Sequence, residues 1–477
     1  MLQHLKFFQK APIWIALIGW ALSSFLFSCS KQKILSNGGN LAFSTDTLKF
    51  DTVFTTLGSV TRSFKVYNTN NQAIIISDIR LAGGASSAFR MNIDGEPVKQ
   101  IGDIKLAAND SIYVFVALTI DPTSGTLPFL VQEKVQFTLN GNISEVQLEA
   151  YGQDAHYITD SVLSSQTWVN DKPYVIIHSA LVDSAQTLTI QKGCRIYMHQ
   201  DSKLYVAGTL RVFGTKTDSV IFQGDRLDRD YFGNRDFPGE WRGIHFLSSA
   251  ENCTLNYCII KNGGLTDAAI YVQPPWSALG APMVELNKCV IANSAGYGIL
   301  AFNSWVRMNN CLVHTCGLQN IAIIEGGNYE FNASTIATFG GLGINHAQQP
   351  AVVVLNYRDT SLTGYTGAPL NASFTNCIID GSLDDEAVFA SKGAWAYNVS
   401  IKNCAIKRNS GFTSGLVNPV NSLLSPTSSF VNYSKWDFHL QSTSPLKGMG
   451  VNIPTVIDDL DDVSRLNPPT IGCYELL

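Results

Sequence analysis

Between Asn256 and Ile406 the apolar and polar positions fall into one short phrase, written six times. The copies are Asn256-Tyr-Cys258-Ile-Ile260, Asn287-Lys-Cys289-Val-Ile291, Asn309-Asn-Cys311-Leu-Val313, Asn332-Ala-Ser334-Thr-Ile336, Thr375-Asn-Cys377-Ile-Ile379 and Lys402-Asn-Cys404-Ala-Ile406. Counted on the last residue, the steps are 31, 22, 23, 43 and 27 residues. Two steps near 22 set the period, and the longer ones are the same unit carrying insertions; such recurrence marks a solenoid. Within each copy the small residue and the aliphatic are two apart, so on a strand they share a face. Stacked in parallel ~4.8 Å apart, the rungs set Cys over Cys and Ile over Ile. The pattern predicts a parallel β-helix, with asparagines at a repeated corner bonding the neighbouring turn's backbone.

Upstream the period changes to two. Alternation runs through Ser63-Phe-Lys-Val-Tyr67, Ala73-Ile-Ile-Ile-Ser-Asp-Ile79 and Ser111-Ile-Tyr-Val-Phe-Val-Ala-Leu118. Asn68-Thr-Asn-Asn71, Asp94-Gly95 and Asn140-Gly141 punctuate it at the spacing of a β-sandwich. The expected organisation is all-β. It has a signal segment at 1–28, a tether at 29–40, an immunoglobulin-like sandwich at 41–156 and a β-helix at 157–477.

The first residues carry Lys6 and Lys10, then an apolar run from Ala11 to Phe27 that closes on Leu26-Phe27-Ser28-Cys29. A short positive region, an apolar core and a small residue before a cut are signal-peptide features. Leu26 to Cys29 resemble a bacterial lipobox, with Phe27 larger than the usual residue. That resemblance implies cleavage before Cys29, acylation of Cys29 and a lipid anchor. Ser30 after the cysteine favours the outer membrane, and the side of the membrane stays open.

Two further resemblances cover the rest. Phe64-Lys-Val-Tyr-Asn68, Ile76-Ser-Asp-Ile79, Ser87-Ala-Phe89 and Leu148-Glu-Ala-Tyr-Gly152 resemble Hydin-like, or ASH-type, immunoglobulin-like domains, which act as spacers or docking modules. Leu188 to Gly193, Leu204 to Gly214, Asp218 to Phe222 and Trp241 to Phe246 resemble the early coils of pectin-lyase-like right-handed parallel β-helices. Trp436 to Gln441, Asp459-Leu-Asp461 and Ile471 to Glu475 resemble the closing segment of such helices. The fold resemblance is silent on chemistry: the Asn-Thr-Asp, Gly-His-Gly and Arg-Ile-Lys elements of hydrolases on this fold do not occur.

Composition narrows the partners. The net charge is −5 without a basic run, so no nucleic-acid partner is expected. The 10 cysteines form no C-x-x-C pair and no zinc spacing. The repeat cysteines are expected inside the coils as reduced, small apolar residues. Insertions at Gly224–Glu240, Gly263–Pro282, Phe339–Ala372 and Gly381–Trp395 are expected on a binding face. They and their borders carry the rings Tyr231, Trp241, Trp276 and Trp395, whose flat faces suit a glycan or an envelope protein. The first insertion also holds an acidic cluster of Asp225, Asp228, Asp230 and Asp236. A polysaccharide lyase would use such carboxylates, with calcium and an Arg or Lys base. The sequence therefore points to a lipid-anchored, non-enzymatic binding module needing no cofactor or metal. A lyase or glycoside hydrolase on the β-helix is the other reading.

Overall fold

The computed structural model describes residues 33–122, 128–232, 236–360, 364–412 and 415–477, with the side chains of 230–232 left aside. The signal segment and Cys29 lie outside them. The chain is essentially all-β and divides into two compact units, which meet in sequence at Gly152 and Gln153.

The first unit holds two antiparallel five-stranded sheets and a small two-stranded one. Arg62–Asn68 pairs with Leu41–Phe43 and Ser111–Leu118 in one sheet, and Phe129–Leu139 pairs with Asn142–Gln153 in the other. Inward residues of both sheets share a core that includes Phe50, Phe64, Phe89 and Phe137. The two hairpin turns read from the sequence have the required backbone: Asp94 and Gly95 have φ 53 and 89, and Asn140 and Gly141 have φ 50 and 85. The apolar run at Ala73–Ile79 is not one strand. Ile74–Ile76 pairs with Ile104–Leu106, and Asp78–Leu81 pairs with Phe129–Leu139. The break at Ser77 lets one run serve two sheets.

The second unit is a parallel β-helix, a continuous run of 24 strands. Each full coil visits three faces. One face stacks Val220–Gly224, Cys258–Lys261, Val290–Ala292, Leu312–His314, Thr335–Thr338 and Ile378–Gly381. Residues 428–477 pack on its outer side, with Phe430, Phe438, Leu446 and Ile471 against Leu312, Ala337 and Ile378; we call it the strap face. The next face stacks Gly243–Phe246, Ala268–Val272, residues 297–302, residues 321–324, Val352–Leu355 and Ala387–Ala390. Most long insertions enter or leave it, so it is the insertion face. The amide face stacks Thr209–Phe213, Cys253–Asn256, Val284–Asn287, residues 304–309, residues 327–332, Leu370–Thr375 and Tyr397–Lys402.

Three of the expected insertions are therefore interrupted. Gly263–Pro282 contains Ala268–Val272, Phe339–Ala372 contains Val352–Leu355, and Gly381–Trp395 contains Ala387–Ala390. Each supplies one rung of the insertion face.

Candidate functional site

The repeated phrase builds the corner between the amide and strap faces. Its middle residue sits in the left-handed region every time, at φ 43 for Tyr257, 53 for Lys288, 50 for Asn310, 45 for Ala333, 55 for Asn376 and 51 for Asn403. That turns the chain sharply and leaves the next N–H outside the ordinary strand ladder. The small residue of the following coil accepts it. Cys289 N–H donates to Cys311 Sγ at 3.4 Å, Cys311 N–H to Ser334 Oγ at 3.1 Å, and Cys377 N–H to Cys404 Sγ at 3.4 Å. The thiols in turn donate to carbonyls, as Cys289 Sγ does to Leu255 O at 3.2 Å. The cysteines are thus more than apolar filler: they satisfy buried backbone groups that would otherwise cost stability. All nine cysteines among the described residues are free and buried. Burial pushes the Cys253, Cys316 and Cys473 thiols up to about 12, so they stay protonated.

Of the four opening asparagines, Asn256 bonds the neighbouring coil's backbone, donating to Val212 O at 3.3 Å, and the others bond one another along the column. Asn287 donates to Asn256 at 3.1 Å, Asn309 to Asn287 at 2.8 Å and Asn332 to Asn309 at 3.0 Å. Beside this ladder, in register, stand Glu285, Arg307 and Glu330. Arg307 clamps Glu330 with bonds of 3.0 and 3.1 Å and lies 3.8 Å from Glu285. A hollow of about 900 Å³ opens over these residues and is walled by Asp458 of the strap. Lys288 reaches that wall, 2.8 Å from Asp458 and 2.5 Å from Asp462.

The insertion face is built differently. Its outward residues are apolar, and in the middle they are aromatic. Tyr205, His245 and Tyr271 occupy three successive rungs in register. Their rings lie 5.7 and 5.0 Å apart, and Phe302 continues the ribbon at 5.8 Å from Tyr271. Charges edge the ribbon. Lys203 pairs with Asp267 at 3.2 Å, and Arg358 lies over the Phe302 ring at 5.6 Å and 3.4 Å from Glu325. His245 is 5% exposed. Burial, helped by Lys203, pulls its pKa down to about 4, so the ring is neutral at physiological pH. Its Nε2 has no hydrogen-bond partner and faces Asp267 at 3.7 Å.

The residues expected at a site are dispersed. Trp276 is 80% exposed on the segment that leaves the insertion face. Trp395 is half-buried, edge-on to Tyr365 at 6.1 Å beside the hairpin of Tyr357–Thr360 and Gly364–Gly367. Trp241 corrects the expectation. It is fully buried in the coil core, and its Nε1 donates to Lys261 O at 2.9 Å; the ring fills the coil, and no ligand reaches it. The Tyr231 and Asp230 side chains lie outside the described residues. Each described acidic residue of the cluster is already paired: Asp225 faces His199 at 2.5 Å, Asp228 accepts from Arg226 at 2.8 Å, and Asp236 accepts from Lys261 at 2.8 Å. Nearby Glu240 pairs with Arg229, yet burial carries its pKa up to about 7. Among the described residues no group of three or more His, Cys, Asp or Glu could hold a metal ion. Sequence reading missed the aromatic ribbon and the Glu285–Arg307–Glu330 column. Both are composed across coils, and only register brings their members together.

No protein-family model matches the chain. No curated protein matches it in sequence. Among solved structures it is similar to a family 123 glycoside hydrolase from Clostridium perfringens, studied for glycolipid glycan hydrolysis, at 8% identity and a TM-score of 0.17. The likeness covers 24% of this chain, which spans 26% of that protein. A similarity at that level says nothing of activity here.

Proposed function

We propose that this protein is an envelope lipoprotein, anchored through Cys29, whose immunoglobulin-like unit spaces a glycan-binding β-helix from the outer membrane. The observation that carries the reading is the aromatic ribbon Tyr205–His245–Tyr271–Phe302 on the face that the insertions border. Sugar rings present C–H faces to aromatic planes and hydroxyls to charged edges, and the ribbon offers both in one strip. Insertions that enter and leave this face supply further contacts, among them the exposed Trp276. The expected result is binding to members of a bacterial and plant polysaccharide panel, weakened by Tyr271→Ala, with neither new reducing ends nor unsaturated products. No binding to any member of that panel sinks the glycan reading. The anchor is tested separately: Cys29→Ala should release the protein from membranes, because the acyl chains supply the membrane affinity.

One observation favours cleavage as a second reading. His245 keeps an unpartnered Nε2 beside the Lys203–Asp267 pair, a nitrogen placed to accept a proton. Products that appear with the native chain and vanish in His245→Gln would establish it.

A further inference from the structure

A second site lies on the amide face, away from the aromatic ribbon. Three hollows of about 900, 370 and 290 Å³ open along it. The first two share Phe213 and Glu285, and the first and third share Glu330, so they form one groove. Its length is set by register. The groove runs from Arg211 to Asn398, across seven stacked rungs. At ~4.8 Å per rung that is about 29 Å, the length of a short oligosaccharide and well beyond a disaccharide.

The lining defines the chemistry. Two columns of amides run along the groove: Asn256 to Asn332, and Asn328, Asn371 and Asn398, the latter joined by bonds of 3.0 and 2.9 Å. Charges balance, with Arg211, Lys288 and Arg307 against Glu285, Glu330 and Asp458. Arg307 is already held by its glutamates, and Lys288 by the strap. A polyanion therefore finds no net positive field to reward it. Phe213, 49% exposed, stands at one end and Trp305, which donates to Glu330 at 3.4 Å, midway; Tyr257 lines the corner, and Tyr329 is buried beneath. Amide donors and acceptors at a fixed spacing, with isolated rings, suit hydroxyl and acetamido groups on successive sugars.

We infer that the amide face binds an uncharged oligosaccharide, extended across the coils. An extended peptide is disfavoured by the same geometry. It would need an open sheet edge or apolar side-chain pockets, whereas every rung of the groove except the last, Tyr397–Lys402, is paired to coils on both sides, and its exposed rings stand apart. The site does not depend on the insertion-face reading.

The test is titration calorimetry of the full chain with chitohexaose, cellohexaose, hexagalacturonate and an uncharged hexapeptide. Binding of an uncharged hexasaccharide is expected. Phe213→Ala and Trp305→Ala should each weaken it by about fivefold, and Asn371→Ala should weaken it less. Unaltered melting temperatures confirm that these outward replacements fold, and Asn371→Ala, fully on the surface, is the fallback if Trp305→Ala does not. Binding of hexagalacturonate or the peptide alone overturns the inference, as does no binding. Binding lost in Tyr271→Ala but kept in both ring variants assigns the sugar to the insertion face, which overturns this site and leaves the other reading standing.

Discussion

The amide and insertion faces belong to the same coils, yet their outward columns are opposites. Arg211, Thr254, Glu285, Arg307, Glu330 and Ser373 stack on one. Tyr205, His245, Tyr271, Leu300, Ala322 and Val353 stack on the other. A parallel β-helix fills its interior with one set of alternate residues, so the other set is free to vary. On the amide face that freedom yields a charge-balanced groove whose groups bond one another along the column. On the insertion face the outward residues are apolar and must be covered or used. Leu300, 7% exposed, and Ala322 form a small exterior cluster with Tyr271, Phe302 and Ile324. The difference teaches that the insertions help shield an outer apolar layer, and the part left open in that layer is the strip proposed to bind glycan.

If this contrast is real, adding a carboxylate to the insertion face should cost far more than removing one from the amide face. Leu300→Asp puts a carboxylate into the covered layer and should destabilise by about 4 kcal/mol, a value usually reserved for interior positions. Glu330→Ala on the amide face removes a partly exposed ion pair and should cost about 1 kcal/mol or less. Urea unfolding measures both. Equal losses would mean that the insertion face is not covered as described.

A pH series sharpens the contrast, because the rungs of the amide face contain no histidine. Burial holds His245 down at about 4 on the insertion face and His314 at about 3 on the strap face, both from an ordinary 6.5. In the unfolded chain these rings take up protons below pH 6.5, and in the fold they resist until much lower. The unfolded state then binds more protons, so stability falls as pH drops from 6.5 toward 4. The loss should be on the order of a few kcal/mol in total. His199 works in the opposite sense. Its bond to Asp225 raises its pKa, so its contribution is present at low pH and is lost as pH climbs through the raised value. Melting temperatures of the native chain and of His245→Phe, read across this range, should diverge on the acid side. Parallel curves would remove His245 from the account.

Smaller still is the ladder effect. Asn309→Ala breaks one bond to Asn287 and another from Asn332 at a partly exposed corner. Each is worth about 1 kcal/mol, so a loss of roughly 1 to 2 kcal/mol is expected by chemical unfolding. A loss near zero would mean that water replaces the amide ladder without penalty.

The amide face was far more legible in the sequence than the insertion face, for a physical reason. Its corner needs a left-handed residue followed by a small acceptor, and that demand writes a Cys or Ser at the third position of every copy, whatever lies between. The insertion-face rungs carry no such demand. Ala268–Val272, Val352–Leu355 and Ala387–Ala390 are short and apolar and are flanked by Gly- and Asp-rich stretches, so they disappear into those loops. The aromatic ribbon was illegible for the same reason: Tyr205, His245 and Tyr271 are neighbours only once the steps of 40 and 26 residues between them are closed by register. Trp241 and Trp276 show the limit at single residues. Trp241 follows the first insertion and Trp276 lies inside the second, but Trp241 leads into a rung and turns inward, whereas Trp276 follows two prolines and points out.

Trp276 therefore gives the smallest effect on stability and the cleanest probe of the strip. Its backbone N–H donates to Ser248 O at 3.0 Å, a bond that any residue but proline keeps. Its ring is 80% exposed, so removing it takes away almost no internal contact. Trp276→Ala should change stability by less than about 0.5 kcal/mol, the usual range for a surface position. If the ring serves the insertion-face strip, the same replacement should weaken glycan binding by about fivefold, the worth of one stacked aromatic contact. Calorimetric binding and thermal melts on one preparation separate the two effects. Unchanged stability with weakened binding places Trp276 on the strip, and unchanged binding would confine the strip to Tyr205, Tyr271 and Phe302.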